Sequence, residues 1–554
     1  MSDWSGGYVS DVEYVPGYYG EQAPAAMDLA CIMSGVEPAR RPGTNAPFTY
    51  CDIGCGLAST ISALAAANPV AQFWGIDLMP AHIARAEAFR TAAGIDNLTL
   101  VEADVVALAH APGADLPRFD YIALHGLFSW VSAEVRSGVI AFIDRFLKPG
   151  GLVYLGYNTM PGWTDTMPIQ KLLIEYAATR QGPSAERIVD AAGFATRMQA
   201  AGARGLDSGI GHKLFPDIEL PELRTRHYRY LAHEFLNAHW QPRYHIDVVR
   251  ELAAAKLDFV GSTNLLENFD GIGLSEEARE VLGSVAPGPL RETLTDYFLD
   301  RRFRRDVFVR GRREISADTR EAALGDVVLA LSGPRPPPDK SDWPMLSARF
   351  TLKPEVYDPV FDRLEKGPAA IEDLCALVEA AGESATGNEL VGMLVGLDLV
   401  QPVLHDVPAV TIEACWRHNR VVTHEAFRSV RQNSFTLALP VGHCGGQFDL
   451  FQTLILDGLF AGVPAEIGPL SAHVLSRLKV PPEAMQSPPV PEAAIGSAPA
   501  AEEAAAPDTK EGTDATPPKP RPAGEIVQNA ARIVLDDLLP IWRQLGLIPP
   551  RDTD

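Results

Sequence analysis

The sequence predicts an α/β fold: a doubly wound, seven-stranded sheet with a helical insertion, followed by a smaller helical module and a polar linker. Three observations lead there. Between residues 48 and 156, short apolar runs alternate with amphipathic stretches, and strand–helix alternation at that spacing folds into a parallel sheet covered on both faces. The stretch CDIGCGLASTISALAAANP (51–69) passes from an apolar run through Asp-x-Gly-x-Gly into a small-residue helix pattern. Two further strand-like runs, near 258–265 and 305–310, follow a long helical stretch and would complete seven strands.

The elements follow in order. FTYCDIG, QFWGID, LTLVEAD, FDYIALHG and GLVYLGY are strands; STISALAAA, AHIARAEAFRTA and VRSGVIAFIDRFL are the helices between them. From 160 to about 250 the pattern is helical, with breaks at Gly182-Pro183 and Phe215-Pro216. This insertion is expected to cap the site from inside a domain spanning 1–315. Residues 316–344, with Pro-rich SGPRPPPDKSDWP, are expected to be a linker. Within 345–480, three short helices and a strand outline a winged-helix-like module. Its third helix, around 386–398, carries no Lys or Arg, which favours protein contact over DNA. Residues 481–523, rich in Pro, Ala and Glu, are expected to be disordered. An amphipathic helix within 524–548 should dock on a protein surface.

The chain has 554 residues, 46% of them hydrophobic, and a net charge of −23. That charge argues against nucleic acid or an anionic membrane as the main partner. The start, MSDWSGGYVSD, lacks a basic segment followed by an apolar one, and no apolar run is long enough to span a membrane. A cytoplasmic location is expected. The six cysteines (31, 51, 55, 375, 415, 444) form no Cys-x-x-Cys pair, so reduced thiols and no metal site are expected.

The glycine loop alone does not identify its ligand. A dinucleotide pattern would place its third glycine at 59, where Ser59 stands; a pattern for S-adenosylmethionine places it at 58, where Ala58 stands. Asp77, ending the second strand 21 residues past Gly56, suits the ribose hydroxyls of either ligand. Asp104 in VEADV ends the third strand, a place for a carboxylate beside an adenine amino group. LKPGG (147–151) turns into the fifth strand, and Asp52, two residues before Gly54, can meet a methionine ammonium. Singly, each acid reads equally well as a helix cap and the turn as a turn. Together, in register at the strand ends, they indicate S-adenosylmethionine, held by Asp52, Gly54, Gly56, Asp77, Leu78, Asp104 and His125.

Several stretches also carry a family resemblance: YVSDVEYVPGYY (8–19), DIGCG (52–56), FDYIALHGLFSWV (119–131), YNTMPGW (157–163), YLAHEFLNAHWQP (230–242), AKLDFVGSTNLLENF (255–269) and FRRDVFVRG (303–311). Through them the chain resembles bacterial class I methyltransferases that carry a methyltransferase regulatory domain. That family includes lysine methyltransferases acting on bacterial surface proteins. The resemblance covers roughly residues 1–312 and implies a class I methyltransferase sheet, S-adenosylmethionine as cofactor, an N-terminal arm covering it, and a protein lysine amine as acceptor. Ala58 departs from the family's loop pattern.

A lysine acceptor must lose its proton before an in-line displacement, and an aromatic, desolvating pocket lowers its pKa. The expected catalytic set is Tyr157 and Asn158, positioning the nucleophile, with Trp130, Tyr18 and Tyr19 as aromatic walls. The same rings would also serve as packing for the cap. His125 is a candidate general base, although a loop histidine more often bonds backbone. His233 and Glu234 are expected to fix the fold of the cap. A protein substrate is the expected partner, and a homodimer is allowed. Two other readings stay open: methylation of a small molecule or glycan, and a regulatory protein that binds the cofactor with little turnover.

Overall fold

The computed structural model describes residues 6–12, 17–41, 43–206, 228–340, 343, 351–404, 406–429, 432, 434–478 and 523–548. Seven strands form one sheet: β1 (Thr49–Ile53), β2 (Gln72–Asp77), β3 (Leu98–Glu102), β4 (Phe119–His125), β5 (Leu147–Asn158), β6 (Leu257–Ser262) and β7 (Phe303–Arg310). Their spatial order is β3-β2-β1-β4-β5-β7-β6. β1 pairs in parallel with both β2 and β4, so strand order reverses beside Asp52, which faces Gly75 on one side and Ala123 on the other. β7 runs antiparallel between β5 and β6. The sheet is therefore mixed at one edge, because β7, which follows β6 in the chain, turns back and enters between β6 and β5.

Each face of the sheet is buried, as the unbroken apolar runs require. Tyr50, Phe73, Tyr121 and Tyr154 pack on one face, with the helix Pro24–Met33 and part of the C-terminal region. Cys51, Ile122, Val153, Leu155, Tyr157 and Phe308 pack on the other, against Ala133–Phe146. Successive strand residues point to opposite faces, and that alternation decides below which side chains reach the site.

The insertion is helical as expected. Met167–Ala178, Ser184–Ala200 and Tyr228–Phe235 share a core of Ile169, Leu173, Ile188, Leu231 and Phe235. Val9 and Val12 of the N-terminal arm complete that core. The expected break at Phe215-Pro216 lies outside the described residues.

The C-terminal half departs from expectation in two places. The stretch expected to be a linker carries a helix, Ala317–Gly325, and a strand, β8 (Val328–Leu331). Its four residues are all apolar and buried, and β8 sits centrally between β9 (Ala369–Ala370) and β10 (Val400–Val403). Three helices, Pro354–Leu364, Ile371–Ala380 and Gly387–Gly396, pack with this small antiparallel sheet. The long helix Ala409–Ala426 then lies against the helices that follow β1 and β2. A hairpin follows, β11 (Ser434–Leu439) and β12 (Cys444–Asp449).

The second departure concerns the amphipathic C-terminal helix, which docks on this chain itself. Val527, Ala531, Val534, Leu538 and Trp542 are buried with Leu437, Leu454 and Leu470. The Trp416 Nε1–H donates to the Gly546 carbonyl at 2.9 Å. The linker expected to be disordered, 481–523, lies outside the described residues except at its last position. Trp542 is 3% exposed, and truncating a buried tryptophan costs about 3–5 kcal/mol. Trp542→Ala should therefore lower stability by that amount in urea unfolding; a change below about 1 kcal/mol would show that this helix is not part of the core.

Candidate cofactor and acceptor site

The crevice lies at the carboxyl ends of β1, β2, β4 and β5. After β1, Gly54 and Gly56 take φ of +79° and +54°, and Ala58 takes +57°. A Cβ at Gly56 would meet nothing within 4 Å, so the backbone there is open to a ligand. Ala58 is a non-glycine residue in the left-handed region, a conformation that glycine adopts without the steric cost. Its methyl group is fully buried in the core, so the departure from the glycine pattern falls on backbone strain rather than on the ligand's path.

Asp77 organises the loop. Its Oδ2 accepts from the Gly56 N–H and its Oδ1 from the Met79 N–H, both at 2.8 Å. Leu78, beside it, is 39% exposed, an apolar surface next to the acid. Asp52 is buried, and its carboxylate has no hydrogen-bond or ion-pair partner among the described residues. Burial, with Asp77 as a second cause, pushes its pKa up to about 7. A buried carboxylate without a cation suits the ammonium of S-adenosylmethionine, and the open Gly56 backbone suits the ligand's body; the residues present fit the cofactor. Asp104 accepts the Val106 N–H through Oδ1 at 2.8 Å as the cap of the helix Val105–His110, and is exposed.

The N-terminal arm crosses the crevice. The Tyr19 N–H donates to Thr60 Oγ1 at 3.1 Å, and its ring stacks on His125 with centroids 3.7 Å apart. His125 Nδ1 lies 2.9 Å from the Tyr154 hydroxyl. Burial lowers the His125 pKa to about 4, against the opposing pull of Glu21, so the imidazole is neutral at pH 7. Glu21 accepts from Arg305 Nε at 2.9 Å. Burial alone would raise the Glu21 carboxyl; the Arg305 guanidinium outweighs it and holds the group below its usual value.

Tyr18 and Tyr19, both candidates for the aromatic wall, point to different places. Tyr18 turns to the C-terminal hairpin, where its hydroxyl accepts the Gly445 N–H at 2.8 Å. A Cβ at Gly445 would stand 2.6 Å from the Tyr18 ring. Tyr18 is thus a tether between arm and hairpin, and Tyr19 is the ring beside His125.

Tyr157 and Asn158 are also separated. Gly156 faces His125 and Tyr154, so by alternation Asn158 shares that face and Tyr157 takes the other. Tyr157 is fully buried, with its hydroxyl donating to Asp306 Oδ2 at 2.8 Å and lying 3.2 Å from His245 Nδ1. As placed, it holds a buried network rather than a nucleophile. Asn158 is 4% exposed and its Oδ1 has no partner among the described residues, while its N–H donates to Ser129 Oγ at 2.8 Å. Trp130 is half-buried after β4, its ring 5.9 Å from Trp240, which meets Trp163 edge-on at 5.2 Å.

Sequence reasoning passed over Tyr8, Glu21 and Arg305. Arg305 carried a signal: FRRDVFVRG places consecutive charges inside a strand whose residues 304–309 are all buried, and buried charges must be paired. Tyr8 and Glu21 gave no comparable signal, because their neighbours are distant in sequence.

Two outcomes test the cofactor side. Asp77→Ala should weaken S-adenosylhomocysteine binding in calorimetry roughly ten- to hundredfold, the loss of a charged hydrogen bond worth about 1.5–3 kcal/mol; unchanged affinity would remove Asp77 from the site. Asp52 has a raised pKa in the folded chain, so its protonated form contributes stability that is fully present below the unfolded value near 4 and lost as pH rises through about 7. In the absence of ligand, wild type should therefore lose stability between about pH 4 and 7 relative to Asp52→Asn, as read by thermal unfolding; parallel pH curves would refute the burial of an unpaired acid.

Known proteins are similar to this chain in sequence and in fold. Residues 51–153 match a family described as a methyltransferase domain, and residues 227–310 one described as a predicted methyltransferase regulatory domain. The uncharacterized protein sll1526 of Synechocystis is 34% identical over 372 residues, covering 67% of this chain and 71% of that protein. The structure of PKMT2 from Rickettsia typhi in complex with AdoHcy is similar with a TM-score of 0.62 at 17% identity, over 97% of this chain and 99% of the other. A second structure of PKMT2 gives 0.59 at 18%, over 84% and 92%. With the seven-stranded order, the two matched domains and the crevice residues in hand, the chain belongs to the S-adenosylmethionine-dependent class I methyltransferases that carry a methyltransferase regulatory domain.

Proposed function

We propose that this methyltransferase transfers its methyl group to lysine amines of a protein. The observation that carries the reading is the acceptor side of the crevice: Asn158 Oδ1, buried and without a partner, stands on the face of the neutral His125 and the Tyr19 ring. An unpaired carbonyl oxygen there suits an N–H donor. The resemblance to lysine methyltransferases of bacterial surface proteins supports the same class. The half-buried Trp130 is an aromatic face at the strand end, with which a cationic acceptor would interact favourably.

When bound, S-adenosylmethionine supplies a methyl group already activated on a cationic sulfur. The chain's own task is to hold, align and exclude water. Asp52, the Gly54–Gly56 backbone and Asp77, with Leu78 and Asp104 beside them, are the groups that would hold the cofactor. Tyr19 and the arm cover the crevice, and Asn158 is assigned the alignment of the acceptor nitrogen. His125 bonds the Tyr154 hydroxyl and carries no charge at pH 7, so it shapes the wall without repelling a cation. The third helix, Gly387–Gly396, which carries Glu389 and no Lys or Arg, and the net charge of −23 favour a basic protein partner over nucleic acid.

The test is label transfer from methyl-labelled S-adenosylmethionine into a lysate of a strain lacking this protein, read by mass spectrometry. Label on a lysine Nζ is expected; label confined to small metabolites or glycans would overturn the lysine reading. With the acceptor so identified, Asn158→Ala should lower turnover by roughly tenfold or more while S-adenosylhomocysteine affinity stays within about threefold, since the contact is made to the nucleophile.

A further inference from the structure

The helix Pro289–Leu299, which leads into β7, has its faces inverted. Its polar residues are buried: Thr293 is 6% exposed and its Oγ1 accepts the Ile246 N–H at 3.0 Å, while Asp296 is 0% exposed and its Oδ1 accepts from Arg304 and Arg301 at 2.6 and 2.9 Å. Its large apolar residues are outside: Leu290, Tyr297 and Phe298 are 51%, 54% and 47% exposed. With the half-buried Leu294 they recur at i, i+4, i+7 and i+8, the spacing of one helix face. A surface helix ordinarily turns such a stripe to the core. Here the core side is taken by the Arg304 network, and the apolar stripe is left at the surface, where it marks a place for another surface to dock.

Two connections carry this stripe to the acceptor side of the crevice. The Tyr297 ring stacks on Tyr244, with centroids 6.3 Å apart and planes 13° from parallel, and the preceding residue, Arg243, donates its backbone N–H to the Asn158 carbonyl at 2.9 Å. From Phe298 the chain continues to Arg302, whose carbonyl accepts from Trp163 Nε1 at 2.7 Å and from the Thr159 N–H at 2.8 Å. Phe303 then pairs with Asn158 across the sheet, and its ring lies 5.3 Å from that of His125. Phe303 is five residues past Phe298, so their Cα atoms are at most about 18 Å apart. About five extended residues of a polypeptide bridge that distance.

We propose that this stripe is a docking surface for the acceptor polypeptide, and that it takes an apolar side chain about five residues from the lysine presented to Asn158. The inference rests on the protein lysine reading given above. Leu290, Tyr297 and Phe298 supply the apolar contact, and Tyr244 joins that contact to the crevice. Charge favours the same occupant. Residues 276–300, which hold this helix and the one before it, carry six Asp or Glu against two Arg, so the surroundings of the stripe attract a lysine-bearing segment. A second copy of the chain on a two-fold axis would set the same acidic pair of helices against itself. The helix falls within residues 227–310, matched to the regulatory domain, and the docking surface gives that region a part in presenting the acceptor.

The test uses the full-length protein loaded with S-adenosylhomocysteine and two fluorescent peptides, with binding read by anisotropy. Each peptide carries one lysine in a glycine-serine background. One has phenylalanine about five positions to either side of the lysine, and the other has serine there. Wild type should bind the phenylalanine peptide roughly tenfold or more tightly than the serine peptide. The double variant Leu290→Ser/Phe298→Ser should bind the two alike, within about twofold, and Tyr297→Ser should narrow the preference independently. Circular dichroism and S-adenosylhomocysteine calorimetry report whether each variant is folded. No preference in wild type, no binding of either peptide, or a preference kept by the folded double variant overturns the proposal. A wild-type dimer that the double variant makes monomeric in analytical ultracentrifugation also overturns it, since the stripe would then belong to a second copy. The lysate experiment fails separately: label confined to metabolites or glycans ends the protein reading, whereas equal peptide binding leaves that reading standing and removes only the docking surface.

Discussion

Arg304 heads the largest fully buried side chains among the described residues, and the relation between sheet and insertion depends on it. It sits on β7 with Nε 3.0 Å from Asp306, Nη1 2.6 Å from Asp296 and Nη2 2.9 Å from Glu292. Burial would raise the Asp306 carboxyl, but the guanidinium outweighs it and holds it at about 2. Asp306 in turn receives the Tyr157 hydroxyl and lies 3.0 Å from His245 Nδ1. One buried cation thus joins β5, β7 and the helices His245–Leu252 and Pro289–Leu299. Removing one partner from such a network leaves an uncompensated charge, which costs about 3–5 kcal/mol. The network fixes the edge of the sheet beside which Asn158 and His125 stand.

The second constraint is the N-terminal arm, which is held from three sides. Thr60 takes the Tyr19 backbone, Arg305 takes Glu21, and Gly445 donates to Tyr18. The last contact ties the cover of the crevice to the C-terminal hairpin, while Val9 and Val12 bind its start to the insertion. The described parts of the arm therefore touch the crevice, the insertion and the C-terminal hairpin. The hairpin's Gly445 is needed because the Tyr18 ring leaves no room for a Cβ.

The crevice itself is acidic by design of its burial. Burial raises the Asp52 carboxyl, which has no ion-pair partner among the described residues, whereas Glu21 is paired with Arg305 and is held below its usual value.

Much of this was legible in the sequence, for physical reasons that are local. DIGCG and QFWGID give a strand, a turn demanding positive φ and an acid at a strand end, all set by neighbours within a few residues; Asp52, Gly54, Gly56 and Asp77 follow from them. Strand–helix periodicity likewise determined the sheet. What the tertiary structure alone decided are matters of facing and distance. Whether Tyr157 or Asn158 meets the crevice depends on strand parity against β4 and β7. Whether Tyr18 or Tyr19 covers it depends on a hairpin over four hundred residues away. The apolar run at β8 could not be read as a sheet strand because its partners, β9 and β10, lie beyond a Pro-rich stretch.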